Sequence, residues 1–321
     1  LSLTPPASFS CLFCLVVLLS VVFFFPCLPP PRVLPRFDRR QRKICLTDRW
    51  LVGGEHAGMK AMFTMMNNAR LGVGGQGIGV AEGAYQHALR FASQRKQGKA
   101  PVAQGTGTIL DHADVRRMLM TMKADIFAAR AIALDCGVAI DMSTATGDPR
   151  WSARAAFLTP IAKAFGTDTE IGVAEAGVQL HGGMGFIEET GAAQYSRDVR
   201  VTAIYEGTNG IQAMDLVARK LMDGGEAAGR LLDDIKAFAE ATREQIPDLA
   251  GPVWQATETL RETTDWLVGQ SDLNDRFAGA VPYLKAFARV LGGYYLSLIH
   301  IVRSRHATPY RSRWCRNHEK K

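Results

Sequence analysis

Cysteine and positive charge are scarce in the middle of this chain. Of the six cysteines, Cys136 is the one that lies away from the two ends. Residues 1–49 carry a net charge of +5 and residues 298–321 one of +6, so with a total of +7 the middle carries −4. These absences argue against a disulfide-dense scaffold and against a basic nucleic-acid-binding surface on the central fold. We expect a reduced, cytoplasmic bacterial protein in which Cys136 is a small buried residue.

The N-terminal segment lacks the charge pattern of a secretory signal. Residues 11–28 are almost entirely apolar, but residues 1–10 carry no charge and the basic residues come later, at 32–43. Three interpretations stay open: a membrane anchor, an N-terminal extension, and a wrongly translated or mis-assembled 5′ end. Cys11 and Cys14 have a metal-like spacing, but no second pair and no histidine lie nearby, so no metal site is predicted.

Helical periodicity dominates the rest of the chain. Apolar residues recur every three or four positions over 58–96, from a predicted N-cap at Asp111, over 149–180, and from about 208 to 222. Short connections between these segments predict an all-α fold, an antiparallel four-helix bundle with an additional C-terminal helical segment. The predicted divisions are an atypical segment (1–43), the end of a β domain (44–54), the bundle (55–224), a helical extension with helices at 226–246, 252–268 and 275–297, and a basic tail (298–321).

Glycines are concentrated in the first long helical segment. They occupy positions 72, 74, 75, 77 and 79, and residues without a Cβ allow a second helix to approach closely. The stretch GGQGIG superficially resembles a dinucleotide-binding fingerprint. No strand precedes it, however, and it lies within a helical pattern, which argues against a Rossmann fold.

The stretch YEGTNGIQ places one carboxylate, Glu206, at the junction between an apolar lead-in and an amphipathic run. A carboxylate that is sheltered from water in this way is a candidate general base near neutral pH. Thr208 or Asn209 is predicted to cap the helix that follows. A glutamate that merely complements the helix N-terminus is the alternative interpretation.

Several motifs in a fixed order resemble the C-terminal helical domain of the acyl-CoA dehydrogenase family. IYEGTNGIQ follows QLHGGMGFIEETGAAQYSRDVR, and LVGGEHAGMKAMFTMMNNAR lies upstream with QRKQG after it. The resemblance covers roughly residues 44–224 and continues more weakly to about 297, as in the large-subunit branch with an extra C-terminal extension. It implies FAD as cofactor and oxidation of an acyl-CoA thioester to the trans-2-enoyl thioester. Glu206 would remove the α-proton while hydride passes to the flavin N5.

The same resemblance implies a set of cofactor-binding residues. Arg95 would reach the flavin pyrophosphate of a neighbouring subunit, because a guanidinium fork suits paired phosphate oxygens. Gln179, Gly182 and Gly183 match the family's QxxGG segment, which contacts the adenosine half of FAD; a plain helix stop is the alternative interpretation. Thr208 and Asn209 match the positions after the base, and His112 falls near a family flavin contact; for these three residues a role at the start of a helix is the alternative.

Three residues match positions on the substrate side of the family site. Arg70 lies where the family uses an arginine near the substrate and the base, Asn67 precedes it by one helical turn, and Gly207 follows the base. The backbone N–H of Glu206 would donate to the thioester carbonyl, which needs such a donor because its α-proton is only weakly acidic.

The resemblance also implies partners and a larger protein. Family members act on acyl-CoA, form homodimers or homotetramers, and mostly pass electrons to an electron-transfer flavoprotein; a membrane would be a partner only if residues 11–28 are a genuine span. A complete member has an N-terminal helical domain and a β domain, so we expect this chain to be a fragment of the enzyme. A non-catalytic helical interaction or oligomerisation module is the alternative function.

Overall fold

The computed structural model describes Gly54, residues 56–102 and residues 104–318, with side chains as far as Ile301. The apolar run, the N-terminal cysteines and nearly all of the strand predicted at 44–54 therefore lie outside the described residues. The chain divides into one compact unit that ends at Ala61 and a second that begins at Met62. In the first unit, the described residues are a turn and the opening residues of a helix. The second unit contains the candidate site.

All regular structure in the described residues is helical, and no strand occurs among them, which confirms the predicted all-α class. None of the described helices is long and apolar enough to cross a membrane. In chain order the helices are α1 (Gly58–Gln94), α2 (Ala113–Thr146), α3 (Pro149–His181), α4 (Gly183–Phe186), α5 (Ala192–Asp198), α6 (Asn209–Asp215), α7 (Glu226–Ala241), α8 (Pro247–Gly269) and α9 (Leu273–His318).

Local signals explain where the long helices begin and end. Helix α3 begins after Asp148, whose Oδ1 accepts a hydrogen bond from the Arg150 N–H at 2.9 Å, and Pro149 suits the first helical position. It ends at Gly182, where φ is 60°. The predicted fourth helix is short: α6 has 7 residues and continues as a π-helical turn over Leu216–Lys220. The four-helix arrangement itself stays a prediction.

The predicted cap at Asp111 is wrong. His112 is the residue before α2, and Asp111 belongs to a short 3₁₀ turn. The Asp111 carboxylate instead accepts from the Gly107 N–H at 2.8 Å and the Thr106 hydroxyl at 3.2 Å. It therefore stabilises the loop before the helix. A carboxylate can satisfy a preceding turn as readily as a helix start, and the sequence does not distinguish the two.

The C-terminal helices share one hydrophobic core with α2 and α3. Phe287 of α9 is completely buried and meets Phe157 of α3 edge to face, with ring centroids 4.9 Å apart. At the border of this core, Arg154 pairs with Asp135 at 2.8 Å, and Tyr295 donates to the same carboxylate at 2.5 Å. Helix α9 continues to His318, beyond the end predicted near 297.

Helices α1 and α3 touch backbone to backbone at two of the five predicted glycines. A Cβ at Gly74 would lie 2.8 Å from the Ala162 carbonyl oxygen, and one at Gly77 would lie 3.1 Å from that of Gly166. A Cβ at Gly75 would meet nothing within 4 Å. The glycine-rich pattern is therefore structural at Gly74 and Gly77, where no side chain fits between the helices.

We predict that Gly74→Ala lowers the free energy of unfolding by about 1–3 kcal/mol, because the new methyl group must push α1 away from α3. The matched variant Gly75→Ala, one residue away on the open face, should raise it by about 0.5–1 kcal/mol through lower chain entropy in the unfolded state. Urea unfolding of both variants measures the difference. Shifts of the same sign would show that helix propensity, and not the close approach, determines stability here.

Candidate active site

The Glu206 turn, defined as Tyr205–Gly207, has a strained backbone. Glu206 has φ 54° and Gly207 has φ 87°. Left-handed φ values are rare for non-glycine residues and cluster at functional sites, where the surrounding structure enforces them. Thr208 then caps α6, with its Oγ1 accepting from the Ile211 N–H at 3.4 Å, which confirms one of the two predicted caps.

Three side chains hold the carbonyl groups of this turn. Gln212 is completely buried, and its Nε2 lies 3.3 Å from the carbonyl oxygens of both Glu206 and Gly207. Arg70 Nε donates to the Glu206 carbonyl at 3.5 Å, and Lys163 Nζ donates to that of Gly207 at 2.9 Å. Donors from α1, α3 and α6 thus converge on two successive carbonyl groups. Gly207 is required here, because a Cβ would lie 2.8 Å from Gln212 Nε2.

Arg70 and Asn67, both predicted on the substrate side, lie together at the turn. The Arg70 guanidinium is buried, and its Nη1 donates to Asn67 Oδ1 at 3.1 Å. The same nitrogen lies 3.7 Å from the buried Asp215 carboxylate, which balances the charge. Arg70 is therefore occupied by the protein itself, while Asn67 is exposed.

Lys163 is a site residue that the sequence analysis missed. It is completely buried on α3, and its ammonium donates to the Gly207 carbonyl and to Asn209 Oδ1, both at 2.9 Å. Burial lowers the pKa of Lys163 to about 8, although the nearby Asp168 favours the charged form. A lysine is almost never fully buried unless its ammonium is paired. Its position within the apolar run TPIAKAF was the sequence feature that indicated a buried lysine.

The Asn209 side chain joins α6 to α3. Its Oδ1 also accepts from the Thr167 hydroxyl at 3.2 Å, and its Nδ2 donates to Asp168 Oδ1 at 2.7 Å. Both polar atoms of the amide are thus occupied by contacts within the protein. The predicted flavin contact of Asn209 would have to form through its backbone or by exchange of these bonds. Thr208, by contrast, is exposed.

Arg95 and His112 meet at the loop after α1. Arg95 is exposed, and its Nη2 donates to Gln97 Oε1 at 3.3 Å. The His112 ring nitrogen Nε2 lies 3.0 Å from the Gln97 carbonyl oxygen. The Ile109 N–H also donates to the Arg95 carbonyl at 2.8 Å, so the loop is closed against the end of α1. Arg95 forms no ion pair within the described part of the chain.

The QxxGG segment forms the exposed end of α3. The Gln179 carbonyl accepts from the Gly182 N–H at 3.0 Å, and the side chain of Gln179 is exposed. Beside them, the His181 ring packs on Phe91 of α1 with centroids 4.2 Å apart. The Phe91 carbonyl in turn accepts from the Arg95 N–H at 2.9 Å. The glycine turn and the Arg95 loop are therefore fixed to the same end of α1. The described residues hold no group of side chains suited to a metal ion.

Comparison with known proteins places these residues in a family context. The sequence profile of the acyl-CoA dehydrogenase C-terminal domain matches residues 56–222, and a profile described as acetyl-CoA dehydrogenase C-terminal like matches residues 231–307. A 3-methylmercaptopropionyl-CoA dehydrogenase from Ruegeria pomeroyi is 42% identical over 266 residues, which are 78% of this chain and 44% of that protein. A butyryl-CoA dehydrogenase from Syntrophomonas wolfei is 32% identical over 76% of this chain and 42% of that protein.

The fold is also found in solved structures. The crystal structure of Caenorhabditis elegans ACDH-11 in complex with C11-CoA matches with a TM-score of 0.64 and 19% identity, over 76% of this chain and 41% of that one. At this identity the match supports the fold alone. The chain spans less than half the length of the curated relatives given above.

We predict that Glu206→Gly raises the free energy of unfolding by about 1 kcal/mol. A left-handed φ is strained for any L-residue with a Cβ, and glycine removes that strain. Chemical unfolding monitored by circular dichroism measures the change.

Glu206→Ala is the matched control for this variant, because it removes the carboxylate but keeps the Cβ and the strain. It should show no comparable gain in stability. Equal stabilisation by alanine and glycine would assign the effect to the carboxylate and would contradict the backbone explanation.

Proposed function

The chain belongs to the acyl-CoA dehydrogenase family, and we propose on this premise that it provides the catalytic base of an FAD-dependent acyl-CoA dehydrogenase. The reaction is the α,β-dehydrogenation of an acyl-CoA thioester to the trans-2-enoyl thioester. Glu206 removes the α-proton. Both curated relatives given above are named as dehydrogenases of acyl-CoA thioesters, which supports this class of substrate.

One observation carries the proposal: hydrogen bonds hold the carbonyl group of Glu206, while its carboxylate and its backbone N–H have no partner among the described residues. Arg70, Gln212 and Lys163 occupy the carbonyls of the turn. In the described part of the chain, neither the Glu206 carboxylate nor its backbone N–H has a hydrogen-bond or ion-pair partner. A carboxylate and an N–H donor on one half-buried, rigidly held residue suit proton abstraction beside a thioester carbonyl.

Arg70 supports the base through the protein rather than through the substrate. Its guanidinium is already engaged by Asn67, the Glu206 carbonyl and Asp215. We therefore assign Arg70 to positioning the Glu206 turn and leave Asn67, which is exposed, and Gly207 as the candidates for substrate contact.

The residues at the end of α1 fit the FAD cofactor, which would accept the hydride from the β-carbon. Arg95 is an exposed cation without a carboxylate partner among the described residues, as a phosphate ligand should be. A Cβ at Gly182 or Gly183 would meet nothing within 4 Å, so their backbone is open to a ligand. We assign Arg95, His112, Gln179 and these glycines to FAD binding, with Thr208 exposed near the base.

A second subunit forms part of the proposal. Arg95 has no carboxylate partner among the described residues, which supports a role toward the pyrophosphate bound by another copy. The assembly would be a homodimer or homotetramer, and an electron-transfer flavoprotein would be the acceptor implied by the family.

The proposal is tested by Glu206→Gln, which keeps the shape of the side chain but removes the base. The purified chain is supplied with FAD and a saturated acyl-CoA in deuterated water, and both flavin reduction and deuterium incorporation at the α-carbon are measured. Both rates should fall about 10²–10⁴-fold, whereas FAD affinity should not change, because the carboxylate acts on the substrate.

Glu189→Gln is the matched control, since this exposed glutamate lies in the short turn after α4. It should leave both rates unchanged. Equal rates in Glu206→Gln and the unmodified chain would contradict the assignment of the base. A chain that binds neither FAD nor acyl-CoA would favour the non-catalytic helical module.

A further inference from the structure

A second buried carboxyl group, Glu170 on α3, touches the segment that leads into the Glu206 turn. Its side chain is completely inaccessible to solvent. Oε2 lies 2.8 Å from the hydroxyl oxygen of Thr202, and Oε1 has no hydrogen-bond partner among the described residues. The proposed reaction gives this group no chemical role, so its presence in the core needs another explanation.

The contacts of the Thr202 hydroxyl fit the neutral form of Glu170. The Thr202 hydroxyl oxygen lies 2.8 Å from Glu170 Oε2 and also 2.7 Å from the Val199 carbonyl oxygen. A hydroxyl has a single hydrogen, so it can donate to one of these two oxygens. A hydroxyl one turn along from a carbonyl commonly donates to that carbonyl. The contact with Glu170 then needs a second proton, which a neutral carboxyl group supplies.

The surroundings of the carboxyl group agree with a neutral acid. An unpaired oxygen in the core is far less unfavourable as part of a neutral carboxyl than as part of a carboxylate. Gly77 of α1 covers the other oxygen so closely that a Cβ there would lie 2.7 Å from Oε2. Helix α1 therefore leaves no room for a water molecule between Gly77 and Oε2.

We propose that Glu170 is a positioning residue: when its carboxyl group is neutral, it holds the Glu206 turn in place by donating a hydrogen bond to the Thr202 hydroxyl, and when it is ionised it releases the turn. Thr202 lies four residues before Glu206, and its N–H donates to the Val199 carbonyl at 3.1 Å. The Tyr205 N–H donates to the Val201 carbonyl at 3.1 Å, so the turn is hydrogen-bonded to the same short segment that carries Thr202. Its consequence for catalysis rests on the proposed function of Glu206.

Charged groups on the neighbouring elements are engaged elsewhere. On α1, Arg70 binds at the Glu206 carbonyl and Glu82 pairs with Arg130 at 2.9 Å. On α3, Lys163 and Asp168 both contact Asn209. The Glu206 turn presents Tyr205, whose hydroxyl donates to Gln76 on α1, and Glu206 itself. No cation of the described residues forms an ion pair with Glu170, and burial raises its pKa from 4.5 to about 7.

The closed turn should become less stable as the pH rises. Between pH 4.5 and about 7 the folded chain keeps the Glu170 proton while an unfolded or locally opened chain loses it. The closed turn is therefore most stable below pH 4.5 and loses that advantage as the pH rises through about 7. The opening equilibrium of the turn should increase by roughly two orders of magnitude between these limits.

Amide hydrogen exchange of the intact chain tests the proposal without flavin or substrate. Exchange of the peptides that contain residues 199–212 is measured from pH 5 to pH 9 and divided by the intrinsic rate at each pH, which gives the opening equilibrium. We expect this equilibrium to increase with a midpoint near pH 7 in the turn, and not in peptides of α8. A flat profile in the turn would overturn the proposal.

Two variants separate positioning from general stability. Glu170→Gln keeps the volume and a donor for Thr202 but cannot ionise, so its profile should be flat and the turn should stay closed at pH 9. Thr202→Val removes the contact and should open the turn at every pH. Glu175→Gln, at an exposed position of the same helix, is the matched control and should retain the midpoint near pH 7. A pH-dependent profile in Glu170→Gln would contradict the assignment.

Carbon NMR of the Glu170 carboxyl group gives a direct second readout. Titration near pH 7 supports the proposal, and titration near the ordinary glutamate value of about 4.3 overturns it. Neither measurement depends on catalysis. If Glu206→Gln contradicted the proposed function, the role of Glu170 in the turn would still be decided by these results.

Discussion

The backbone contact between α1 and α3 determines where the groups of the candidate site can lie. At Gly74 and Gly166 the two helices leave no room for a side chain between them. Arg70 on α1 and Lys163 on α3 can therefore both reach the carbonyl groups of one short turn. A wider spacing would remove at least one of these donors from hydrogen-bond range, because each reaches the turn at or below 3.5 Å. The helix packing thus sets the geometry of the candidate site.

That geometry allows Glu206 to adopt a conformation that a free peptide would avoid. Its φ of 54° is strained, and the strain persists because Gln212 and Lys163 hold the carbonyl groups on either side of Gly207. In this conformation neither the carboxylate nor the N–H of Glu206 has a hydrogen-bond or ion-pair partner among the described residues. Strain in the backbone and availability of the reactive groups are therefore two aspects of the same arrangement.

Sequence patterns predicted the elements of this site better than its internal contacts. Periodicity and helix stops predicted α1 and α3 to within two residues, and the order of motifs predicted that Arg70 lies near Glu206, as the structure shows. Lys163 and Glu170 were missed, because one charged residue in an apolar helix resembles a solvated position until a partner from a distant segment is known. Their partners lie 44 and 32 residues away in sequence. The apolar run around Lys163 was a local sign of its burial, but the identity of such distant partners leaves no local pattern.

Burial shifts the pKa values of the two missed residues in opposite directions, and both shifts favour the uncharged form. Burial lowers the pKa of Lys163 to about 8 and raises that of Glu170 to about 7. Below pH 7 the pair is a cation and a neutral acid, and above pH 8 it is a neutral amine and a carboxylate. A positive Lys163 holds the Gly207 carbonyl, and a neutral Glu170 keeps the turn closed in the arrangement proposed above. Both conditions are met together on the acid side of neutrality, so the buried neighbours of Glu206 set the upper pH limit that we propose for the closed turn.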